Sequence, residues 1–271
     1  MKYNESIAVS TSRVLLVPYD AHHVPQYHTW MEDEAIREAT ASDRLTLQEE
    51  YENQVSWRTS ADKLTFVLCR PLEPSSPRVK ATVAGDAVWA GQDDVPERML
   101  GDINMFLTPW DDDDDGAEAI VVADADAAGV EFVRAEVDVM IAGAADRGRG
   151  LGKAAVGALL EFVSRNREGI LREYATTTQQ QQHSSNKRPE ICEFVVRIKA
   201  SNVGSIALFK GFGFRQRGEV NYFGEIEMVL LPAIGKLGEG TPSIGEIEVV
   251  EGYREAKYDR SRLPKDASKA S

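Results

Sequence analysis

The stretch that most constrains how this chain can fold is a strand, a glycine-rich turn and a helix start between residues 136 and 153. Apolar and polar residues alternate through E-V-D-V-M-I at 136–141, which is the period of a half-buried strand. After the turn, apolar residues recur at three- and four-residue steps from Leu151 to Val163, which predicts an amphipathic helix. Glycines let the main chain approach a ligand closely, and the first N–H groups of a helix point outwards, so this arrangement is typical of an anion site.

Positive charge in the turn fits a phosphate as the anion. Arg147, Arg149 and Lys153 stand where they would face it, and the alternative is that they belong to an ordinary solvated surface. The turn is neither of the two familiar nucleotide-binding loops, because it lacks G-K-[ST] and an acidic residue about 20 positions further on. The residues alone therefore predict a phosphate site without naming the ligand.

The form of the turn, Arg-x-x-Gly-x-Gly directly after the strand E-V-D-V-M-I-A, resembles the acetyl-coenzyme-A signature of the GNAT superfamily of N-acetyltransferases. In that family the amides of the turn hold the pyrophosphate of coenzyme A, which implies acetyl-CoA as the cosubstrate here. The resemblance places the cofactor against the strand end and the turn, at Met140, Ile141, Ala142, Arg147, Gly148, Arg149, Gly150, Leu151, Gly152 and Lys153.

A second stretch, N-V-G-S-I-A-L-F-K-G-F-G-F at 202–214, predicts a short helix capped by Asn202 and stopped by Gly213. It is similar to the second GNAT signature, whose Asn and following helix contact the pantetheine and phosphates of the cofactor. The resemblance adds Asn202, Ser205 and Phe209 to the cofactor site, with capping as the alternative role of Asn202 and Ser205. Many GNAT enzymes carry a Tyr where this chain has Phe209, and Phe cannot protonate a leaving thiolate.

Composition narrows the class of protein. Hydrophobic residues make up 42% and charged residues 28% of the 271 positions, ordinary values for a globular protein with a sizeable core. The net charge of −13 argues against a nucleic-acid partner, and a field of this sign attracts cationic substrates such as amines. Cys69 and Cys192 lie in no metal or redox motif, which predicts reduced core residues of a cytoplasmic protein. We expect no membrane partner, because no apolar run approaches spanning length.

Hydrophobic periodicity, caps and breakers predict the order of the elements. Helices are expected at 22–40, as one helix or a pair, and after a capping box formed by Thr46 and Glu49. The other strands are expected at 13–19, 65–69, 99–108, 193–199, 220–223 and 225–231.

The early helical region is where GNAT members build the acceptor site. The resemblance therefore suggests that three aromatic residues line this site, with core packing as the alternative: Trp30, Tyr51 and Trp57. Three early histidines are predicted on a helix surface and not as metal ligands, because no matching carboxylate or cysteine cluster accompanies them in the sequence: His22, His23 and His28.

Low-complexity segments predict loop insertions within a single domain at 1–232. They lie near 70–97, which is proline-rich, near 109–130, which contains the polyaspartate run 111–115, and near 173–190, which contains polyglutamine. The tail at 233–271 is expected to be mobile, although E-I-E-V-V-E at 246–251 is compatible with a short strand.

The predicted order of strands and helices is that of the GNAT fold, over roughly residues 7–231. We therefore expect an α/β (α+β) protein whose mixed, mostly antiparallel sheet is splayed between strands four and five, with helices on both faces. Segments such as V-L-L-V-P-Y-D-A-H-H-V-P-Q-Y-H-T-W-M and G-D-I-N-M-F-L-T are similar to the eukaryotic N-acetyltransferase-nine-like family, in the RimJ-type branch. The insertions and the tail depart from the compact members of that branch.

The chemistry implied by the resemblance is direct attack of an amine on the acetyl thioester. The acceptor is expected to be a protein or peptide amine, either an α-amine or a lysine, with a small amine as a further possibility. Glu136 matches the position of a catalytic Glu in lysine-acetylating members, and its alternative role is that of an exposed strand residue. Asp138 and Asp102 are further candidate bases, Tyr222 is the candidate acid, and an N–H near Met140–Ala142 is the expected donor to the oxyanion.

The Phe at 209 keeps a second hypothesis open. In that hypothesis the fold holds coenzyme A but serves as a scaffold or partner-binding protein with little or no catalysis. The oligomeric state, the acceptor and the roles of the insertions do not follow from the sequence.

Overall fold

A computed structural model describes residues 1–72, 87–110, 129–182, 187–232 and 250–263. The polyaspartate run and most of the predicted strand at 246–251 lie outside these ranges. The chain forms two compact units, each assembled from separate stretches. The first unit comprises Met1–Asn104, Val139–Phe162 and Glu248–Ser271, and the second comprises Met105–Asp138 and Val163–Ile247.

Among the described residues, the first unit contains three whole α-helices and five whole strands. The helices are α1 (Val24–Met31), α2 (Glu34–Thr40) and α3 (Leu47–Thr59). The strands are β1 (Ile7–Ser10), β2 (Leu15–Pro18), β3 (Lys63–Cys69), β4 (Ala87–Trp89) and, from the far end of the chain, β10 (Arg254–Asp259). They are hydrogen-bonded in the order β4-β10-β1-β2-β3.

Three long elements have residues in both units: β5 (Met99–Pro109), β6 (Val130–Ile141) and α4 (Leu151–Gln182). The second unit adds β7 (Arg188–Lys199), α5 (Val203–Gly211), β8 (Arg215–Arg217) and β9 (Glu225–Leu230). Its strand order is β6-β7-β9-β8.

Strand directions confirm a mixed sheet. Antiparallel pairs join β1 to β2 and β10, β2 to β3, and β9 to β7 and β8. The pairs β6–β7 and β10–β4 are parallel. The β6–β7 register ends at Glu136 opposite Val195, although both strands continue, and this is where the sequence predicts the splay. The predicted fold class is confirmed.

Local sequence signals fix the helix starts. The Thr46 hydroxyl accepts from Glu49 N at 3.3 Å, and the Glu49 carboxylate accepts from Thr46 N at 2.7 Å, so the predicted capping box is present. Asn202 Oδ1 accepts from Ser205 N at 3.1 Å, as expected for the N-cap of α5.

Buried apolar side chains form a core within each unit. In the first unit, Val17, Val67, Cys69 and Tyr258 belong to one cluster, and the Phe66 and Phe162 rings meet edge to face at 5.2 Å. In the second unit, the buried side chains include Val133, Cys192, Phe194 and Met228. Both cysteines are buried and form no disulfide, as predicted. Within the described ranges, none of the helices is long and apolar enough to cross a membrane.

Two of the local predictions are wrong. The sequence predicts a loop insertion near 173–190, but α4 continues through the first part of this tract to Gln182. The tract contains no Gly or Pro after Gly169, and Gln is a good helix former, so nothing in it stops the helix. The predicted strand at 220–223 is a turn, because Asn221 Oδ1 accepts from the N–H groups of Phe223 and Glu225, each at 2.9 Å. The partner of β9 is instead β8, at Arg215–Arg217.

The expectation of a wholly mobile tail is also wrong. Residues Arg254–Asp259 form β10, which lies between β1 and β4 and buries Tyr258 almost completely. The Tyr258 hydroxyl donates to Asp94, and Arg260 forms an ion pair with Asp20 at 2.6 Å. Because the pairing partners stand more than 160 positions away in the sequence, local patterns in the tail could not reveal them.

Candidate active site

The glycine-rich turn lies in the first unit, between the end of β6 and the start of α4. Gly148 and Gly150 have φ values of 72° and 77°, in the left-handed region that a side chain disfavours. Arg13 Nη2 donates to the carbonyl of Arg149 at 2.6 Å and holds the turn from outside. The turn is exposed, so its main chain is accessible to a ligand.

The start of α4 has the donor arrangement expected of an anion site. Its first helical hydrogen bond runs from Ala154 N to Gly150 O at 3.1 Å. The amides of Leu151 and Gly152 precede this bond, so they point out of the positive end of a long helix. The polar groups and the open glycine backbone fit a pyrophosphate.

The arginines of the turn have different surroundings. Arg147 donates to the carbonyls of Ile141 and Ala142 at 2.8 and 3.0 Å, so its guanidinium braces the turn against the strand end. Arg149 is more exposed and forms an ion pair with Asp146 at 3.2 Å. Both remain close to the turn, with Arg149 better placed to move towards an anion.

The strand end at Met140–Ala142 is shaped by β5. Ala142 N donates to Leu100 O at 2.9 Å, so among the N–H groups near Met140–Ala142 this one is already hydrogen-bonded. Alternation along a strand directs the N–H of Ile141 to the opposite edge. A Cβ at Gly101 would lie 1.8 Å from Met140 O, so only glycine permits this close approach.

The other predicted cofactor residues belong to the second unit, and their roles stay predictions. Asn202 caps α5 through Ser205 N, as described above. Phe209 is buried and its ring packs edge to face against Phe214 at 5.2 Å. A ring in that position supports the helix from the core and has no proton to donate.

Glu136, a candidate base in the second unit, is held in an ion pair with Arg197. Arg197 also contacts Glu227, at 3.3 Å. Its carboxylate is therefore engaged by a guanidinium and would have to leave this ion pair to meet an amine.

Asp138 has the opposite environment. Its side chain is accessible to solvent but lies among protein groups that strip much of its hydration, and this desolvation is the main cause that raises its pKa to about 6. The like charges of Glu136 and Glu225 raise the pKa further. A carboxyl with a pKa near 6 is mostly ionised at neutral pH and is still basic enough to accept a proton.

A chain of ion pairs that sequence reasoning missed crosses the strands of the second unit. Arg134 pairs with Glu193 at 2.6 Å, Arg217 pairs with Glu193 at 2.8 Å, and Arg217 pairs with Glu227 at 2.6 Å. Through Glu227 and Arg197 the chain reaches Glu136. Glu193 is buried, so the two arginines compensate a charge that would otherwise be costly. The signal in the sequence that could have indicated these ion pairs is the presence of charged residues within an otherwise apolar strand, as in E-F-V-V-R.

Tyr222, the candidate acid, is 97% exposed and lies in the turn before β9. Its ring packs against Phe223 at 5.5 Å. Among the early aromatic residues, Tyr27, Trp30 and Tyr51 pack against the core cluster of the first unit. Tyr27 and Trp30 also pack against the smaller cluster of Met31, Ile36, Met140 and Ala142.

The early histidines correct one expectation. His23 is fully buried and not on a helix surface, and the Nε2 atoms of His22 and His23 lie 3.2 and 3.1 Å from Asp94 Oδ2, close enough together for a metal to be considered. However, His23 Nδ1 accepts from Asp20 N at 3.0 Å. The Nε2 atom of a neutral ring must then carry the proton, so it donates to Asp94 and is not a metal ligand.

Comparison with known proteins decides the family. Residues 13–215 match the family described as "Acetyltransferase (GNAT) domain". This chain belongs to the GNAT acetyltransferase family. An "N-acetyltransferase 9-like protein" of Schizosaccharomyces pombe is 34% identical over 240 residues, which cover 85% of this chain and 99% of that protein. This GNAT protein is also 32% identical to the "Alpha/beta-tubulin-N-acetyltransferase 9" of Drosophila melanogaster, over 84% of this chain and 88% of that one.

The human protein of that name is 30% identical over 85% of this chain and 86% of its own length. The resemblance to the nine-like family that the sequence indicated is thereby confirmed. The activity of this GNAT protein is N-acetyl transfer.

Proposed function

We propose that this protein transfers the acetyl group of acetyl-CoA to a protein α-amine, with tubulin as the first acceptor to test. The observation that carries the proposal is the left-handed turn at Gly148 and Gly150, followed by the outward amides of α4, in a chain of the GNAT family. Relatives named as tubulin N-acetyltransferases direct the choice of acceptor. We place the reaction in the cytoplasm.

When bound, acetyl-CoA supplies an activated acyl group. Leu151 N and Gly152 N, with Arg149 at their side, bind its phosphates. The roles of Asn202 and Ser205 in binding the cofactor rest on the resemblance to the second family signature. Arg147 keeps the strand end in register with the turn through its bonds to Ile141 and Ala142.

Asp138 is the proposed general base. Its raised pKa suits it to accept the proton that the amine loses on attack, whereas Glu136 is neutralised by Arg197. We therefore assign Glu136 a positioning role, because it orients the ion pairs and raises the pKa of Asp138. An α-amine, with an ordinary pKa of about 7.7–8.0, needs a weaker base than a lysine at about 10.4.

The oxyanion formed on attack is bound by the N–H of Ile141, since Ala142 N is committed to Leu100. The leaving thiol has an ordinary pKa of about 8.5, so it can depart as the thiolate without a tyrosine at position 209. Tyr222 is retained as the proposed acid, in a turn whose exposed ring is free to meet an acceptor.

The experiment is release of free thiol from acetyl-CoA by the purified protein, with tubulin and with peptides that carry free or blocked N-termini. The expected result is thiol release that requires a free α-amine, together with mass addition at the first residue of the acceptor. Tight binding of coenzyme A without thiol release for any acceptor would instead support the scaffold hypothesis.

A further inference from the structure

Glu50 is a buried acid in the first unit to which the described residues offer no direct hydrogen bond or ion pair. It lies on α3 with only 2% of its surface exposed. Within the described ranges, its carboxylate has neither a hydrogen-bond donor nor an ion-pair partner. Burial raises its pKa, and the nearest charged influence on it is His28, which lies 3.8 Å from a different acid, Glu32. A carboxylate that is buried without a partner is costly, so such a group points to a missing cation.

Two other unsatisfied polar atoms belong to Tyr19, on which the charge of Glu50 acts, and to Asn104, which is hydrogen-bonded to Asp102. The Tyr19 hydroxyl and Asn104 Oδ1 are both buried, and the described part of the structure offers neither of them a hydrogen bond. Burial is the main cause that raises the pKa of Tyr19, and the negative charges of Glu50 and Asp102 raise it further. These groups are therefore close enough to interact electrostatically. The Tyr19 and Tyr27 rings pack at a tilt, with their centroids 5.3 Å apart. We define the acidic pocket as Tyr19, Tyr27, Glu50, Asp102 and Asn104.

The acidic pocket is one tyrosine side chain away from the strand end. The Tyr27 ring packs against the cluster formed by Met31, Ile36, Met140 and Ala142, and its hydroxyl donates to Asp102 at 3.0 Å. Asn104 Nδ2 also donates to Asp102, at 3.3 Å. All these residues belong to the first unit. A group bound in the pocket would therefore lie within side-chain reach of an amine held at Ile141.

We propose that the acidic pocket binds a second, non-reacting cationic group of the acceptor, the side chain of a lysine or arginine close to its N-terminus. This inference rests on the proposed function, because it places the reacting amine at the end of β6. An ammonium or guanidinium has several donors and no acceptor, which complements the orphaned Glu50 carboxylate, Tyr19 oxygen and Asn104 Oδ1. The reacting amine itself is excluded from the pocket, since two acids there would keep it protonated.

The charge of the acidic pocket sets the size of the expected effect on kcat/KM. A hydrogen bond to a buried charge is stronger than a neutral one, so loss of the cation should lower kcat/KM about tenfold or more. The effect should fall on the acceptor and leave the affinity for acetyl-CoA unchanged, because no pocket residue belongs to the turn.

The test uses peptides with a free α-amine and a neutral sequence, in which lysine, arginine or norleucine is placed in turn at positions 1 to 4. The wild-type protein should prefer a cation over norleucine at one position by about tenfold or more. Glu50→Gln should abolish this preference. Glu52→Gln is the matched control, because Glu52 lies on the same helix but is exposed, and it should keep the preference.

A purely structural role for Glu50 would change stability or overall rate but not the ratio between lysine and norleucine peptides. Equal rates for both at every position, or an unchanged ratio in Glu50→Gln, would overturn the proposal and indicate that water or His28 satisfies the pocket. If no peptide releases thiol, the proposed function fails separately. Fluorescently labelled copies of the same peptides would then show, by anisotropy, the ratio of binding affinities between lysine and norleucine peptides.

Discussion

The rate of acetyl transfer should follow the ionisation of Asp138. With a pKa of about 6, raised by desolvation and by Glu136 and Glu225, this carboxyl is the base only when it is ionised. The contribution of Asp138 to the rate is therefore nearly complete above pH 7 and is lost as the pH falls through 6. At pH 5 roughly one-tenth of that contribution should remain, since the ionised fraction falls about tenfold per pH unit below the pKa. Asp138→Asn should lower kcat by about 10²–10⁴-fold across this range.

Two substitutions near Asp138 should shift the acid side of the pH–rate profile, where activity is lost as the pH falls, by different amounts. Glu136→Gln removes the larger of the two like-charge effects and releases Arg197, so it lowers the pKa of Asp138 more than Glu225→Gln does. Both variants should retain relatively more activity at pH 5 than the wild type does. Their plateaus should fall modestly, because a base of lower pKa accepts a proton less readily.

The assay is thiol release at saturating acetyl-CoA over roughly pH 4.5 to 9, a range that spans both carboxyl and amine ionisation. The acceptor amine adds its own limb, so two acceptors with amines of different pKa are compared. The limb due to the amine moves with the acceptor, whereas the limb near 6 stays. An acid limb that does not move in Glu136→Gln, or Asp138→Asn activity close to wild type, would refute the assignment of the base.

Three further predictions concern binding and stability. Gly150→Asp should weaken acetyl-CoA binding more than tenfold in calorimetry, because the new carboxylate repels the phosphates. The control Gly218→Asp, at a similar φ of 69°, should bind acetyl-CoA normally. Equal affinity of the two variants would remove the turn from the cofactor site. Glu193→Gln should lower the free energy of unfolding by about 3–5 kcal/mol in urea titrations, since it removes the buried charge that Arg134 and Arg217 share; a loss below about 1 kcal/mol would contradict a buried network. Tyr258→Phe should cost about 1–3 kcal/mol by removing a donor to buried Asp94, and an unchanged melting temperature would speak against this role.

Local chemistry made parts of the fold predictable. The caps at Thr46 and Asn202 and the long apolar pattern after Gly150 depend on residues a few positions apart, and each is present in the structure. The cofactor turn was predictable for the same reason, because its glycines and its helix start are adjacent in sequence. Which of its residues contact the cofactor remains a prediction.

The features that escaped prediction depend on distant partners. β10 forms because β1 and β4 offer it hydrogen bonds, and a short R-E-A-K-Y-D run shows little of this by itself. The different surroundings of Glu136 and Asp138 could not be predicted for the same reason. Their alternation in the sequence is equal, but only Glu136 meets Arg197, which lies 61 positions later.

The position of β10 has a consequence for synthesis on the ribosome. β1 is translated roughly 245 residues before its partner strand at Arg254–Asp259. At about 5–20 residues per second, the nascent chain spends on the order of ten to fifty seconds with that edge of β1 unpaired. During this interval chaperones have the time and the exposed edge they need to intervene.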